Sequence, residues 1–216
     1  MAVLFKPMSE QQSAGDFLPW LQDTLTSLQG KRDADVPCGD CVACCTSSYF
    51  IHIKPTDTQT LERVPKDIVF PAPRLPKGHF LLGYNEKGHC PMFEDGKCSI
   101  YEYRPQTCRQ YDCRVFAATG LQANEKDKSK IANQAKAWTF ETLDNESSAA
   151  LQAVRAAATF LRTYTSHFPK GFVPSNTTQQ AVLAIRLYAV FQCFPEPNND
   201  KNIHKVVQAC ISEAQH

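Results

Sequence analysis

Four thiols fall within eight residues in Cys38-Gly39-Asp40-Cys41-Val42-Ala43-Cys44-Cys45. A Cys-x2-Cys turn lets two sulfur atoms converge on one cation, and thiolates are ligands of zinc, copper(I) and the iron of iron-sulfur clusters. The adjacent pair at the end of this stretch is unusual, because neighbouring side chains diverge along an extended chain. We therefore expect Cys44 and Cys45 either to serve different metals or to divide into one ligand and one thiol that packs or exchanges.

A second group of cysteines follows at longer, irregular spacing, ending at Cys113. A zinc ribbon would need a second Cys-x2-Cys pair, and a bacterial ferredoxin would need the run Cys-x2-Cys-x2-Cys-x3-Cys-Pro. The chain has neither run, so spacing alone leaves zinc and an iron-sulfur cluster both open. The candidate metal ligands of the two groups together are Cys38, Cys41, Cys44, Cys45, Cys90, Cys98, Cys108 and Cys113.

Arginine residues stand beside the second group of thiols. A site with four thiolates and one divalent cation carries a net charge of about −2, and guanidinium groups next to such a site would support it. Arg104 and Arg109 are therefore candidate cofactor-binding residues. The alternative is that these arginines form surface ion pairs while Pro105 begins a helix, since proline is tolerated in the first helical turn.

The composition limits the compartment and the partners. Ten cysteines among 216 residues are fewer than the roughly 8 to 10% of a short secreted disulfide protein, and residues 1–10 lack an export signal. We expect a cytoplasmic protein with reduced thiols; four disulfides remain an alternative that would require export. A net charge of +1 gives no reason to expect nucleic acid as a partner, and the longest apolar stretch is too short to span a membrane.

The pattern of apolar residues predicts an α+β fold in three parts. Residues 1–37 form an N-terminal helix and linker, and residues 38–120 form a small, loop-rich cysteine module that a metal stabilises, with short strands at Tyr49–Ile53 and His79–Tyr84 and a helix around Asp57–Arg63. Residues 121–216 form a helical region packed on that module. Within it, one helix over 176–194 and a later one place Cys193 and Cys210 on apolar stripes, where we expect both thiols to fill the core.

The cysteine motifs resemble those of the YkgJ-like cysteine-cluster family of zinc- or iron-chelating domains. The resemblance rests on Cys38-x2-Cys41-x2-Cys44-Cys45, Cys90-Pro91, Cys98-Ser-Ile-Tyr-Glu102 and Arg104-Pro105-x2-Cys108-Arg109. It implies metal binding by the matching cysteines, whereas Cys113 lies outside the motif and its role as a ligand rests on spacing alone. The pattern is more distantly similar to that of flagellin lysine N-methylase, which implies iron-sulfur chemistry with S-adenosylmethionine as methyl donor.

These observations favour a metal-binding cysteine-cluster protein that coordinates a 4Fe-4S cluster or one to two zinc ions through thiolates. One alternative is an S-adenosylmethionine-dependent protein methyltransferase-like enzyme that uses an iron-sulfur cluster. Another is a metal delivery or storage protein in which a thiol exchanges ligands with a protein partner. The sequence does not decide whether the protein is an enzyme, and it points to no catalytic residue.

Overall fold

The computed structural model describes residues 11–122, 129–194 and 199–215. Residues 1–10, on which the expectation of no export signal rests, lie outside this part of the chain. The helices are α1 (Phe17–Leu28), α2 (Thr58–Arg63), α3 (Gln106–Gln110), α4 (Arg114–Thr119), α5 (Ser129–Ala137), α6 (Asn145–Thr163), α7 (Thr177–Arg186), α8 (Tyr188–Cys193) and α9 (Asp200–Glu213). The strands are β1 (Gln12–Asp16), β2 (Ile51–Ile53), β3 (Val69–Pro71), β4 (Phe80–Leu82), β5 (Phe93–Glu94), β6 (Lys97–Cys98) and β7 (Trp138–Glu141). The fold is α+β with a helical C-terminal part, as predicted.

The chain divides into two compact units. Of the described residues, 26–112 and 129–132 form the cysteine unit, and 11–25, 113–122, 133–194 and 199–215 form the helical unit. The helical unit therefore takes residues from both ends of the chain. The predicted boundaries at residues 38 and 121 remain a prediction, whereas the contacts divide the chain near residues 25 and 112.

The cysteine unit is built on a three-stranded antiparallel sheet in the order β2-β4-β3, in which Ile53 pairs with Phe80 and Pro71 pairs with the same residue from the other side. The two predicted strands are confirmed as β2 and β4, although both are shorter than the sequence pattern indicates. The predicted helix around Asp57–Arg63 is confirmed as α2. A small apolar core lies against the sheet; its buried members are Ile53, Val64, Leu82, Met92 and Ile100. Cys90 and Cys98 pack against this core, so the fold brings two candidate ligands to its edge.

The helical unit has a larger apolar interior. Its β1 and β7 pair in parallel, and Asp144 caps the 19-residue α6 by accepting a hydrogen bond from the Ser147 amide at 2.7 Å. Phe160 of α6 is fully buried, and its ring lies 5.4 Å from that of Phe191 between centroids. Helix α6 therefore supplies a long apolar face to the unit, which is the usual source of helix stability in proteins.

The predicted single helix over 176–194 is wrong in one respect. The chain forms α7 and α8 instead, with Leu187 between them at φ −90° and ψ 2°. Because the break changes the phase of the apolar stripe, Cys193 is exposed and does not fill the core as predicted. Cys210 is fully buried on α9, and this prediction is confirmed. None of the helices in the described residues combines the length and apolar character needed to cross a bilayer.

Candidate metal centre

Backbone hydrogen bonds join the first cysteine group to the second. The Cys90 amide donates to the Cys45 carbonyl at 2.8 Å, and the Ser48 amide donates to the Gly88 carbonyl at 2.8 Å. Ser48 adopts φ +50° and Gly88 adopts φ +74°, so both residues turn through the left-handed region that favours glycine. The two segments lie side by side here although Ser48 and Gly88 are 40 positions apart in the sequence. This pairing brings the main chains of Cys45 and Cys90 together.

A tight hairpin adds Cys98 to the same region. Strands β5 and β6 pair Phe93 with Cys98, and the Phe93 amide donates to the Cys90 carbonyl at 2.9 Å. The turn passes through Asp95 and Gly96, both at positive φ, which is the backbone geometry typical of hairpin turns. The irregular spacing between Cys90 and Cys98 is therefore the length of one short hairpin.

Cys108 reaches the region on the short helix α3. The buried Asp57 carboxylate accepts a hydrogen bond from the Gln106 amide at the start of α3 and another from the Lys54 amide, each at 2.9 Å. The Thr107 hydroxyl donates to the His52 carbonyl at 2.8 Å, which ties α3 to strand β2. These contacts satisfy helix amides that otherwise lack a partner, and they fix the position of Cys108.

The four thiols on these segments are electrostatic neighbours. The pKa of Cys45 is raised to about 11, first by burial, then by the ionised forms of Cys90 and Cys98 and, to a smaller extent, by that of Cys41. The pKa of Cys108 is raised to about 12, first by burial and then by the ionised forms of Cys90, Cys45 and Cys98. Like charges close together resist ionisation. Several thiolates here would therefore be stable only with a compensating cation.

Cys90 shows the same main effect. Burial raises its pKa, a backbone hydrogen bond from Met92 lowers it, and ionised Cys98 raises it. The structure thus brings Cys45, Cys90, Cys98 and Cys108 into mutual electrostatic range. Within residues 11–122, 129–194 and 199–215, however, no three cysteine, histidine, aspartate or glutamate side chains are arranged so that they could hold one metal ion.

The remaining candidate cysteines have different local surroundings. Cys38 and Cys41 are partly exposed and belong to one turn, in which the Cys41 amide donates to the Cys38 carbonyl at 2.9 Å, and Cys44 is exposed. Cys113 belongs to the helical unit, where it is buried and its sulfur accepts a hydrogen bond from the Trp138 indole at 3.2 Å. Whether each of these four thiols binds metal remains a prediction.

The two candidate arginines have different surroundings. The Arg104 guanidinium lowers the pKa of both Cys45 and Cys108, and it lies 3.7 Å from the centroid of the Tyr101 ring. Its Nε atom is buried and has no hydrogen-bond partner within the described part of the chain. A buried donor without a partner is uncommon in folded proteins and calls for an explanation.

Arg109 is held by the protein itself. Its Nη1 donates to the Arg104 carbonyl at 2.6 Å, and its Nε donates to the Asp33 carboxylate at 3.2 Å. Its Nη2 lies 3.8 Å from the Asp57 carboxylate. These contacts tie the Arg109 side chain to three chain segments, and its role in cofactor binding remains a prediction.

Asp57 and Ser48 shape this region, and sequence reasoning did not single them out. Asp57 directly precedes α2, which is the position of a helix N-cap, but its carboxylate makes no capping bond to α2 and holds Lys54 and α3 instead. No local pattern around Ser48 indicates a positive φ. Both roles depend on partners distant in sequence, so a local signal could have suggested only the helix start.

Residues 37–140 match the sequence model of the CxxCxxCC family, described as "Putative zinc- or iron-chelating domain". This segment, called the CxxCxxCC domain below, is similar to that family. The CxxCxxCC domain contains all the candidate ligand cysteines together with Arg104 and Arg109. Its description confirms the predicted kind of family and supports binding of a metal, zinc or iron. No curated protein and no solved structure matches the chain.

Proposed function

We propose that the CxxCxxCC domain holds a metal centre through the thiolates of Cys45, Cys90, Cys98 and Cys108, in the form of a 4Fe-4S cluster. The donor set supports this proposal, because thiolates bind iron-sulfur clusters and zinc, and the four sulfurs come from segments that the fold has already joined. The second cysteine group contains no Cys-x2-Cys pair, and this favours the cluster over a zinc ribbon. Metal binding would draw the four thiols together and so stabilise the cysteine unit.

The observation that carries the proposal is the buried Nε of Arg104, which has no hydrogen-bond partner among the described residues and belongs to the guanidinium that lowers the pKa of Cys45 and Cys108. Four thiolates around a core of charge +2 have a net charge of about −2, which a neighbouring guanidinium would offset. The Nε–H group would also find its missing acceptor in a thiolate sulfur or a cluster sulfide. The hydrogen bond from Arg109 to the Arg104 carbonyl holds the main chain of this residue in place.

The bound group would supply either electron transfer or a Lewis-acidic iron, and the potential of such clusters depends on hydrogen bonds to sulfur and on exposure. The residues of the chain bind the group, compensate its charge through Arg104 and limit its contact with water by packing Cys90 and Cys98 against the apolar core. The methyl-transfer hypothesis and the cytoplasmic location remain predictions.

The first experiment is anaerobic purification of the full chain, followed by an absorption spectrum and counts of iron, zinc and acid-labile sulfide. We expect a broad band at about 400 nm with about four iron and four sulfide per chain, as for a 4Fe-4S cluster. A colourless protein with tightly bound zinc would contradict the cluster and would show that the same thiols hold a zinc centre. A protein that binds neither metal after reconstitution would contradict the proposal.

Variants at Arg104 test the observation that carries the proposal. Arg104→Met removes the charge and the donor, whereas Arg104→Lys keeps only the charge. We expect the Met variant to lose about 10- to 100-fold in metal affinity, as substitutions next to metal ligands commonly do, and the Lys variant to lie between it and the original chain. Arg63→Met is the control, because Arg63 also stacks on a tyrosine ring, at 3.5 Å, in the same unit. Equal affinities for all three variants would remove Arg104 from the site.

A further inference from the structure

The three-stranded sheet of the cysteine unit has one buried face and one exposed face. Side chains alternate between the two faces along a strand, and Ile53 and Leu82 point into the apolar core. Cys90 and Cys98 pack against the same core, so the exposed face is separate from the proposed metal centre. The side chains of the exposed face, called the aromatic face below, are those of Phe50, His52, Phe70 and Leu81.

Aromatic rings on this face contact one another and stay open to solvent. The Phe50 ring lies 6.0 Å from that of Phe70 in an edge-to-face pair and 5.1 Å from that of Tyr84, between centroids. The exposed fraction is 55% for Phe50, 40% for Phe70 and 44% for Tyr84. The His52 ring stacks on that of His79 at an angle of 17°. Exposed apolar side chains that meet in one patch, unlike scattered ones, mark interaction sites.

Gly83 leaves a gap between two of these rings. A Cβ atom at Gly83 would lie 3.7 Å from the Phe50 ring and 3.8 Å from the Phe70 ring, so it would touch both rings without a clash. Because glycine has no side chain, the space between the rings stays open at this point. A flat group can therefore approach the sheet between Phe50 and Phe70.

The border of the aromatic face is basic, although the chain as a whole is nearly neutral. Residues 66–87 contain four basic and two acidic residues, against a net charge of +1 for the whole chain. The loop between β3 and β4, residues 72–79, contains the exposed Arg74 and Lys77 and no acidic residue. The charge of the whole chain gave no reason to expect a polyanion as partner, whereas this local excess favours one.

We propose that the aromatic face binds single-stranded nucleic acid, with bases stacked on Phe50 and Phe70 and phosphates paired with Arg74 and Lys77. A single strand exposes both the flat faces of its bases and a row of negative charges, and proteins bind it by aromatic stacking beside a positively charged surface. A second copy of the chain fits less well, because a symmetric contact would bring two basic borders together. An acidic peptide matches the charge but offers few flat groups for the gap at Gly83.

The test measures the binding of a fluorescein-labelled oligouridine to the full chain by fluorescence anisotropy. A probe of about ten nucleotides lies within the site sizes of folds that bind single strands. We expect saturable binding that weakens as the salt concentration rises, because phosphate contacts release counterions. Unlabelled oligouridine should displace the probe, whereas duplex RNA and polyglutamate at the same concentration of charge should not. Equal displacement by polyglutamate would overturn the proposal, and so would the absence of binding.

Three variants separate stacking from charge. Phe50→Ala with Phe70→Ala should lower the affinity by about ten-fold or more without changing its salt dependence, because it removes only the stacking. Arg74→Gln with Lys77→Gln should lower the affinity and reduce the slope of log affinity against log salt by about 0.7 for each lost phosphate contact. Gly83→Val keeps the rings and the charges but fills the gap, so it should also bind weakly. Gly83 does not have a positive φ, so its backbone accepts valine.

Leu143→Ala is the matched control, because Leu143 is a large apolar residue of the helical unit and is 73% exposed. It should bind the probe as the original chain does. The melting temperature shows which variants are folded, and the charge variant and Gly83→Val carry the test if loss of both rings unfolds the unit. Unchanged affinity in these variants would overturn the proposal. Binding to phosphatidylserine vesicles, or self-association, that needs the same rings in a chain that does not bind oligouridine would overturn it as well.

Discussion

The helical unit and the cysteine unit differ in how they are held together. In the helical unit, α6 alone has 19 residues and buries eight of them, among them Phe160. In the cysteine unit, α2 and α3 have six and five residues, and side chains such as that of Asp57 join the segments through backbone amides. Apolar burial scales with the area removed from water, so the helical unit has the larger source of stability. The cysteine unit is where a bound metal has most to add.

The largest effect should come from the core of the helical unit. Phe160→Ala removes a fully buried ring whose centroid lies 4.7 Å from that of Tyr164 and 5.4 Å from that of Phe191. We expect a loss of about 3 to 5 kcal/mol in the free energy of unfolding, measured by urea denaturation, because the change leaves a cavity. Phe50→Ala is the control, since Phe50 is 55% exposed, and it should change stability by no more than about 0.5 kcal/mol.

The same variant sharpens the comparison between the units. If they are stabilised separately, folded Phe160→Ala protein should bind as much metal per chain as the original protein. A fall in metal content that follows the loss of stability would show that the centre depends on the helical unit.

An intermediate effect is expected at the main polar contact of the cysteine unit. The Asp57 carboxylate accepts hydrogen bonds from the backbone amides of Lys54 and Gln106. In Asp57→Asn, the side-chain NH2 group would face one of these two amides and could not accept its hydrogen bond. Leaving a buried amide without its acceptor should cost about 1 to 3 kcal/mol. Hydrogen exchange should locate the loss in the cysteine unit, and metal affinity should fall because α3 carries Cys108.

Asp67→Asn is the control for that substitution. Asp67 is an exposed aspartate of the same unit, so its replacement should leave stability and metal affinity almost unchanged. If both variants behave alike, the Asp57 contacts do not position α3, and the contrast with the apolar helical unit loses its main support.

A smaller effect should arise where the two cysteine segments meet. A Cβ atom at Gly88 would lie 2.4 Å from the Ser48 hydroxyl, and Gly88 has φ +74°. Gly88→Ala should therefore cost about 1 to 2 kcal/mol for the left-handed backbone and somewhat more for the contact. Gly96→Ala is the matched control, because Gly96 has φ +79° and open space around it, so it isolates the backbone cost.

A second substitution at the contact partner completes this test. Ser48→Gly removes the hydroxyl from a residue at φ +50° and should make Gly88→Ala no more costly than Gly96→Ala. Such non-additivity is the signature of two residues in direct contact, and it is measured as a double-mutant cycle of unfolding free energies. Simple additivity would show that Ser48 does not limit the space at Gly88.

The parts of the fold that sequence predicted well depend on short-range pattern. The apolar stripe through Val206, Val207 and Cys210 correctly predicted which face of α9 is buried. The aromatic and β-branched residues correctly predicted the strands β2 and β4. The stripe through Cys193 failed, because the helix breaks at Leu187 and no glycine or proline marks the break. A single change of helical phase was enough to turn a predicted core thiol to the surface.

The candidate site shows the same limit more strongly. Spacing identified the cysteines but gave no way to divide them, because Cys45 meets Cys90 through backbone geometry at Ser48 and Gly88. Cys113 follows Cys108 by only five residues, yet it belongs to the helical unit and contacts Trp138. The short spacing between Cys108 and Cys113 therefore gave no indication that the two thiols belong to different units.

The smallest expected effect is the pH dependence of the sheet in the cysteine unit. His52 Nε2 lies 2.8 Å from His79 Nδ1, and burial lowers the pKa of His52 below 6.5, with further lowering by His79 and Lys54 and an opposing effect of Asp57. The unfolded chain then binds this proton more readily than the folded one, so the contribution of His52 to stability is complete above pH 6.5 and is lost as the pH falls through its folded pKa. We expect the urea midpoint to fall between pH 7.5 and pH 5, and His52→Gln to flatten this dependence, since glutamine can still bond to His79 without titrating. The control is His204→Gln, at an exposed histidine of the helical unit, which should leave the dependence of the urea midpoint on pH unchanged. An equal change of slope in both variants would mean that acid acts on the whole chain, and a slope unchanged in His52→Gln would show that the imidazole pair does not couple the sheet to pH.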